Sequence, residues 1–291
     1  MRTHGDKPEV SVIIPFRNVG RHFTALLDSV ATQASDVTME VILVDNGSQD
    51  GSRAAADAFR ERLDLTIIDA FERSNASYAR NVGARMARAD KLLFVDADDE
   101  IAPGYVGALT HALDEHDYVT SRVDSVALNP EWVRHVHGDY WQDERVSVFF
   151  GFMLATGSNI GVRRALFERV GGFPEEFSGS QDIAFCWNAQ LAGATIHFVH
   201  DAVYRYRYRD TLMALYRQSR NWGFSNVLLF RTYRSRGMTR RPVSRVARDW
   251  AAVAWGLLFV WQQEARAKLV VRLGSYVGRL QGSIRYRTLY L

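Results

Sequence analysis

An α/β fold, with a mainly parallel sheet covered by helices on both faces, is what this sequence predicts. Three observations carry the expectation. Short runs rich in Val, Ile and Leu recur at residues 10–14, 40–44, 65–68 and 91–95, each bounded by polar or turn residues, as doubly buried strands require. Between them, Phe23, Leu26, Leu27 and Val30 fall at the i, i+3, i+4, i+7 spacing of one helical face, and Ala79, Val82, Met86 and Ala89 nearly do. Strands alternating with helices argue for right-handed βαβ units. At 291 residues, with 47% hydrophobic and 24% charged, the chain has the composition of a globular protein and length enough for one large domain or two.

In open sheets of this kind ligands bind beyond the carboxyl ends of the strands, so the residues after each strand are the informative ones. Pro15-Phe16-Arg17-Asn18 follows the first. No G-x-G-x-x-G turn and no G-x-x-x-x-G-K-[ST] loop occurs anywhere in the chain, which removes the support for dinucleotide and P-loop readings. After the second strand comes Asp45-Asn46-Gly47-Ser48-Gln49-Asp50-Gly51, leading to a helix near Ser52. The Asp45 carboxylate can accept a hydrogen bond from a base N–H or a ribose hydroxyl, although any tight turn uses the same residues.

The fourth strand runs into Asp96-Ala97-Asp98-Asp99-Glu100, four carboxylates in five positions. Crowded like charges repel, and a hard divalent cation such as magnesium or manganese, which takes oxygen ligands, relieves that repulsion. The alternative is a solvated acidic turn in which Asp99 and Glu100 favour the N-terminus of the next helix and Pro103 sits early in it.

Four segments taken together, SVIIPFRN at residues 11–18, VILVDNGSQDG at 41–51, ARNVGARMARADKLLFVDADD at 79–99 and GGFPEEFSGSQD at 171–182, resemble the successive motifs of family 2 glycosyltransferases. The resemblance spans about residues 10 to 200. It implies a GT-A type nucleotide-binding sheet flanked by helices, with a donor-binding half at 1–120, an acceptor-side half carrying a catalytic base at 121–205, and a mostly helical, basic region at 206–291. It further implies a nucleotide-sugar donor (UDP-, dTDP- or GDP-linked), a divalent cation, and inverting transfer to a hydroxyl acceptor in cell-envelope or surface glycan synthesis.

Carried over position by position, the resemblance assigns Asp45 to the nucleotide base, with Pro15 lining the same pocket. It puts Arg80 of the A-R-N-x-G segment at the donor, with Asn81 and Gly83 completing the motif. A guanidinium fork suits phosphate oxygens. Asp98 is then the direct metal ligand, Asp96 lies beside it on the ribose or behind the metal, and Asp99 is a weaker candidate. Asp182 corresponds to the catalytic base. Here the chain departs from the family's acidic pair, because Gln181 precedes it; losing a like charge should leave the Asp182 pKa less raised. A purely structural role is also open to Asp182, opening a helix that runs through Trp187 to Leu191 and ends near Gly193, a role Ser180 could fill instead.

Two further segments carry weaker signals. Gly157-Ser158-Asn159 matches the family's acceptor-side strand or a plain turn. His200, after an expected strand at 195–199, could reach the diphosphate or the metal, or be structural.

Past residue 202 the catalytic signature thins and basic residues take over. Residues 202–291 hold 17 Arg and one Lys against Asp210, Asp249 and Glu264, a net of +15; the total of +3 leaves −12 for residues 1–201. Such a block is a solvated face, a nucleic-acid patch or an attraction to anionic lipid; given the resemblance, no nucleic-acid partner is expected. In Tyr204-Arg205-Tyr206-Arg207-Tyr208-Arg209 a strand would put tyrosines on one face and arginines on the other. Gln218, Arg220 and Trp222 miss the Q-x-x-R-W spacing of processive relatives, so a single-sugar transferase is expected. The apolar run at 251–261 is too short to cross a bilayer. Flanked by arginines, it could lie in a membrane interface or serve as a core helix or dimer contact.

Cys186 is the only cysteine, so no intrachain disulfide can form. The first ten residues are polar and lack an apolar signal core. A cytoplasmic protein, peripheral on the inner face of the membrane, is the expectation. Two rival classes remain. Haloacid dehalogenase-like phosphatases also place a D-x-D after a strand, but look for Thr or Val where this chain has Glu100. The other is a non-catalytic module docking on membrane or polyanion, its donor fold a relic.

Overall fold

The structure is a computed structural model that describes residues 7–33, 37–137, 147–149, 152–154 and 158–291. Its strands are β1 (Val10–Phe16), β2 (Met39–Asp45), β3 (Leu65–Asp69), β4 (Lys91–Phe94), β5 (Glu100–Ile101), β6 (Tyr118–Asp124), β7 (Ser147–Phe149), β8 (Phe152–Leu154), β9 (Ile160–Arg163) and β10 (Ile196–Arg205). Eight of these form one sheet in the order β3-β2-β1-β4-β9-β6-β10-β5, and β7 and β8 pair as a separate hairpin. The first four strands are parallel, as their doubly apolar runs predict. Beyond them β9 inserts antiparallel between β4 and β6, and β5 pairs antiparallel with β10. Strands drawn from residues 1–120 and 121–205 therefore share a single sheet.

Period-2 alternation sorts the strand side chains onto two cores. Ile13, Ile42, Val44, Leu92 and Phe94 face one core, shared with α3 (Ala76–Met86), α6 (Arg164–Arg169) and α7 (Gln181–Leu191). Val10, Val12, Ile14, Val41, Leu43 and Leu93 face the other, where α1 (His22–Ala31) and α4 (Tyr105–Glu115) cover them. The face expected for α1, Phe23, Leu26, Leu27 and Val30, is the buried one, and α2 (Ser52–Asp57) starts where the turn after β2 predicts. Gly83 lets α3 lie close on the sheet: a Cβ there would stand 2.5 Å from the Ile13 Cγ2.

Several expected boundaries move. The helix expected through Ala89 ends at Met86, with Ala87 extended. The capping alternative for Asp99 and Glu100 fails, because Glu100 enters β5 and α4 begins later, at Tyr105, behind a left-handed Gly104. The strand expected at 195–199 continues to Arg205 past an irregularity between Val199 and Val203. Alternation of tyrosine and arginine over 204–209 accordingly breaks where β10 ends. The apolar run at 251–261 is not one helix either: α9 (Val243–Leu257) stops inside it, and a turn leads to α10 (Gln263–Arg285).

The basic region is helical as expected, and its packing is set by glycine. A Cβ on Gly274, Gly278 or Gly282 of α10 would lie 2.8, 1.9 and 2.8 Å from the carbonyl oxygens of Tyr216, Arg220 and Phe224 in α8 (Leu212–Tyr233), and one on Gly223 would lie 2.2 Å from the Ser275 oxygen. Small residues four apart let two backbones touch. The numbering rises together on both helices, so α8 and α10 run parallel and α9 is the return stroke.

Gly278→Ala should force the pair apart and lower stability by at least about 1–3 kcal/mol, the usual cost of overpacking. Gly256→Ala, whose new Cβ would find nothing nearer than Leu269 at 3.9 Å, should be neutral or stabilise by about 0.5–1 kcal/mol. Thermal melts of the two variants check this contrast.

Candidate active site

Arg80, Asp96, Asp98 and Asp182 come from three different parts of the chain and line one cavity of about 1010 Å³ at the carboxyl ends of the central strands. Arg80 reaches it from the middle of α3, a helix started by Asn75, whose side chain accepts from the N–H groups of Ser77 and Tyr78. Arg80 is 3% exposed; its guanidinium donates to Asp96 and lies 5.3 Å from the Phe173 ring centre. Among the described residues its Nε and Nη1 have no partner. Buried donors of this kind are costly unless something accepts from them.

The acidic segment after β4 is not left to repel itself. Arg209 pairs with Asp98 at 2.5 Å and Arg207 with Glu100 at 2.9 Å, while Arg80 holds Asp96. Asp99 turns inward instead: Tyr204 Oη donates to one of its oxygens and the Arg207 N–H to the other, both at 2.7 Å. Burial, with Asp98 and Asp96 adding to it, pushes the Asp99 carboxyl well above the usual range. Tyr204 also accepts from the Asp96 N–H, and Arg207 Nε donates to the Asp98 carbonyl. The D-x-D backbone is thereby fixed by residues a hundred positions later.

The implied divalent cation fits this donor set in one particular way. Asp96 and Asp98 present carboxylates to the cavity, yet no group of three His, Cys, Asp or Glu able to hold a metal exists among the described residues. Two carboxylates without a protein cage suit a hard cation that completes its shell with water and phosphate oxygens. A cation on Asp98 would have to displace or share the Arg209 contact.

Asp182 sits in the first turn of α7. Burial is the first cause of a raised pKa there, opposed by the nearby positive charge of Arg80 and reinforced by Asp96. Removing a like charge at Gln181 therefore leaves desolvation as the main perturbation. Ser180 occupies the N-cap position in a left-handed conformation (φ 56°) but makes no side-chain cap hydrogen bond, so it does not fill the capping role the sequence allows. The Gln181 Oε1 is buried and unpartnered among the described residues.

The segment before α7 is clamped by Asn81, which donates to the Phe173 carbonyl at 2.8 Å and accepts from its N–H at 2.9 Å. Gly172 has φ 71° and leaves no room for a side chain against Asn81, which explains a glycine there.

Pro15 and Asp45 lie outside the cavity wall, at adjoining ends of β1 and β2, where Phe16 pairs with Asp45. One Asp45 oxygen accepts from the N–H groups of Gly47 and Ser48, and Arg53 stands 3.6 Å from the other. Ser158 is in the wall; Asn159 is fully buried, bonded to Tyr105 and Ser121; Gly157 lies outside the described residues. His200 is not in the wall. It stands exposed beside Phe198, in the irregular stretch of β10, because that strand runs on and opens onto the cavity only after Arg205.

Sequence reasoning missed the far wall. His137, the last residue of α5 (Glu131–His137), stacks on Tyr208 with centroids 4.2 Å apart. Burial lowers its pKa to about 4, so the ring is neutral near pH 7, and its Nε2 has no partner among the described residues. From α8 come Arg217, Gln218, Asn221 and Trp222, spaced i, i+1, i+4, i+5 on one face. That spacing was available in the sequence; its target was not.

The sequence profile of glycosyl transferase family 2 matches residues 11–171. AglE of Haloferax volcanii, a glycosyltransferase, is 28% identical over 200 residues, covering 67% of this chain and 66% of AglE. Staphylococcus aureus TarS, a poly(ribitol-phosphate) β-N-acetylglucosaminyltransferase, is also 28% identical over 200 residues, 67% of this chain but 35% of TarS. The alignments thus span from about a third to two thirds of these curated relatives. Among solved structures, the mannosyltransferase PcManGT of Pyrobaculum calidifontis in complex with GDP-Man and Mn²⁺ superposes with a TM-score of 0.62 at 19% identity, over 95% of this chain and 87% of that one. With the profile covering more than half of its length, the chain belongs to glycosyl transferase family 2, and its fold is that of the GT-A members.

Asn81→Ala should leave the Phe173 N–H and carbonyl unpaired and cost about 1–3 kcal/mol, seen as a lower melting temperature.

Proposed function

We propose that the chain transfers a sugar from a nucleotide-sugar donor, UDP-, dTDP- or GDP-linked, to an acceptor hydroxyl with inversion at the anomeric carbon, in cell-envelope or surface glycan synthesis. The observation that carries this reading is the meeting of Arg80, Asp96, Asp98 and Asp182 in one cavity. Family membership and relatives such as AglE and TarS, glycosyltransferases by name, support it.

Asp182 takes the proton of the acceptor hydroxyl as that oxygen bonds to the anomeric carbon. The bond from that carbon to the diphosphate oxygen breaks, and the nucleoside diphosphate leaves with the electron pair. Attack and departure on opposite sides invert the centre. Arg80 meets the diphosphate with its unpartnered N–H groups, and Pro15 and Asp45 hold the base. Asp98, with Asp96 beside it, would hold manganese or magnesium, which when bound supplies neutralisation of the leaving diphosphate.

Asp182→Asn should abolish transfer and leave nucleotide affinity nearly intact, because the base acts on the acceptor; full activity in that variant would sink the assignment. A base must be ionised, so with its pKa raised the acid limb of kcat/KM should lie above 3.8. The same shift acts on stability. A carboxyl whose folded pKa is raised stabilises the fold below its unfolded pKa and loses that contribution as pH rises through the folded value. Asp182→Asn should therefore melt higher than the parent at neutral pH, with the gap closing in acid.

Calorimetric titration with nucleoside diphosphates, run with manganese and with chelator, tests the donor half. Metal-dependent binding of one nucleotide, weakened in Asp98→Ala, is the expected result; equal affinity in that variant would remove Asp98 from the metal site.

A further inference from the structure

Among the described residues, 14 of the 18 large apolar side chains that stand exposed lie in the basic region after residue 205. They concentrate on α9 and the turn behind it. Only Val253 and Gly256 of this 15-residue helix are buried, Gly256 against Leu269 of α10. Along one flank, Val243, Ala247, Trp250, Ala254 and Leu257 recur at i, i+4, i+7, i+11, i+14 and are all exposed, one apolar stripe along the helix, with one face of Trp250 stacked on Tyr276 of α10. Past the helix end Leu258 and Trp261 are also exposed, Trp261 at 69%, and Trp255 on another side of α9 is 65% exposed. An amphipathic helix normally turns this face to a core; here most of it is left in solvent.

The unpaired charge on and before α9 has one sign. Arg240, Arg245 and Arg248 are exposed. From Val243 to the end of the chain the only acids are Asp249 and Glu264, and both are engaged. Asp249 takes Arg241 and the Tyr276 hydroxyl, and Glu264 pairs with His135 at 2.9 Å.

We propose that this stripe docks on the surface of an anionic lipid bilayer, lying in the plane of the interface with Trp255 and Trp261 at head-group level. A second copy is the poorer occupant, because pairing would bring together two regions that each carry a net charge of +15 over residues 202–291, whereas anionic head groups complement that charge. Crossing the bilayer is not open to it. Fifteen helical residues reach about 22 Å, and no helix among the described residues is long and apolar enough to span.

The docking face adjoins the cavity. Glu264, three residues past Trp261, bonds His135, and His137 two residues on lines the cavity. On the transferase reading, on which this last step rests, docking would hold the acceptor side of the site against the membrane, where a lipid-carried acceptor is presented.

Sedimentation of the full chain with vesicles of phosphatidylcholine alone, or mixed with phosphatidylglycerol, tests the proposal. Binding should appear with the mixed vesicles and weaken as salt is raised. The double variant Trp255→Ser/Trp261→Ser should lose at least about tenfold in vesicle affinity, and Arg245→Gln and Arg248→Gln about fivefold each. Leu191→Ser, an exposed apolar residue elsewhere, should bind as the parent does. Failure of the parent to sediment, or sedimentation untouched by both sets of substitutions, overturns the proposal. So does a dimer that the tryptophan substitutions disperse in a chain that ignores vesicles. Melting temperature and nucleotide titration of each variant separate lost docking from lost folding. No nucleotide is present in the vesicle assay, so its failure leaves the transferase reading standing, and failed nucleotide binding leaves the docking result standing.

Discussion

Four carboxylates crowded into five positions at the end of β4 set the terms for everything around them. Unopposed, they would repel one another strongly beside a buried strand. The structure resolves this with Arg80 from α3 on Asp96, Arg209 on Asp98, Arg207 on Glu100, and burial of Asp99 against Tyr204 and the Arg207 backbone. Tyr204, Arg207 and Arg209 lie about a hundred positions further on, so satisfying these charges ties the first βα units to β10 and the loop after it. The cavity is what remains between the parts so joined.

Within that frame the cavity is polar but incompletely satisfied. Two Arg80 nitrogens, the Gln181 Oε1 and the His137 Nε2 are buried and unpartnered among the described residues, a density of unmade hydrogen bonds that is expensive in a closed core. Donors and acceptors held ready in a low-dielectric cleft are worth more to a charged ligand than the same groups in water. Asn81 contributes by position, clamping the chain that delivers Asp182.

The helical region obeys a different constraint. Backbone contact through Gly223, Gly274, Gly278 and Gly282 joins α8 to α10 and presents Arg217, Asn221 and Trp222 of α8 to the cavity. It also leaves α9 outside, attached by a narrow face, so its apolar stripe and its arginines are exposed as a direct result of that packing.

Local periodicity and strand-end chemistry were legible without any structure. The strands β1 to β4, the buried face of α1, the start of α2 and the end of α7 near Gly193 follow from patterns that repeat every two or every 3.6 residues. The carboxylates stood out because they follow a strand, and Arg80 and Asp182 through the resemblance of their segments to family 2 motifs. What the sequence could not determine depends on contacts between distant segments. The antiparallel insertion of β9, the inward turn of Asp99, the course of β10 beyond His200 and the far wall formed by His137, Tyr208 and α8 each arise from partners dozens of residues away. The glycines of α10 were visible as a repeat, but only the fold shows that their missing side chains make room for the backbone of α8. Spacing along the chain specifies which face a residue occupies; which neighbour that face meets is decided by how the whole chain satisfies its buried charge and apolar area at once.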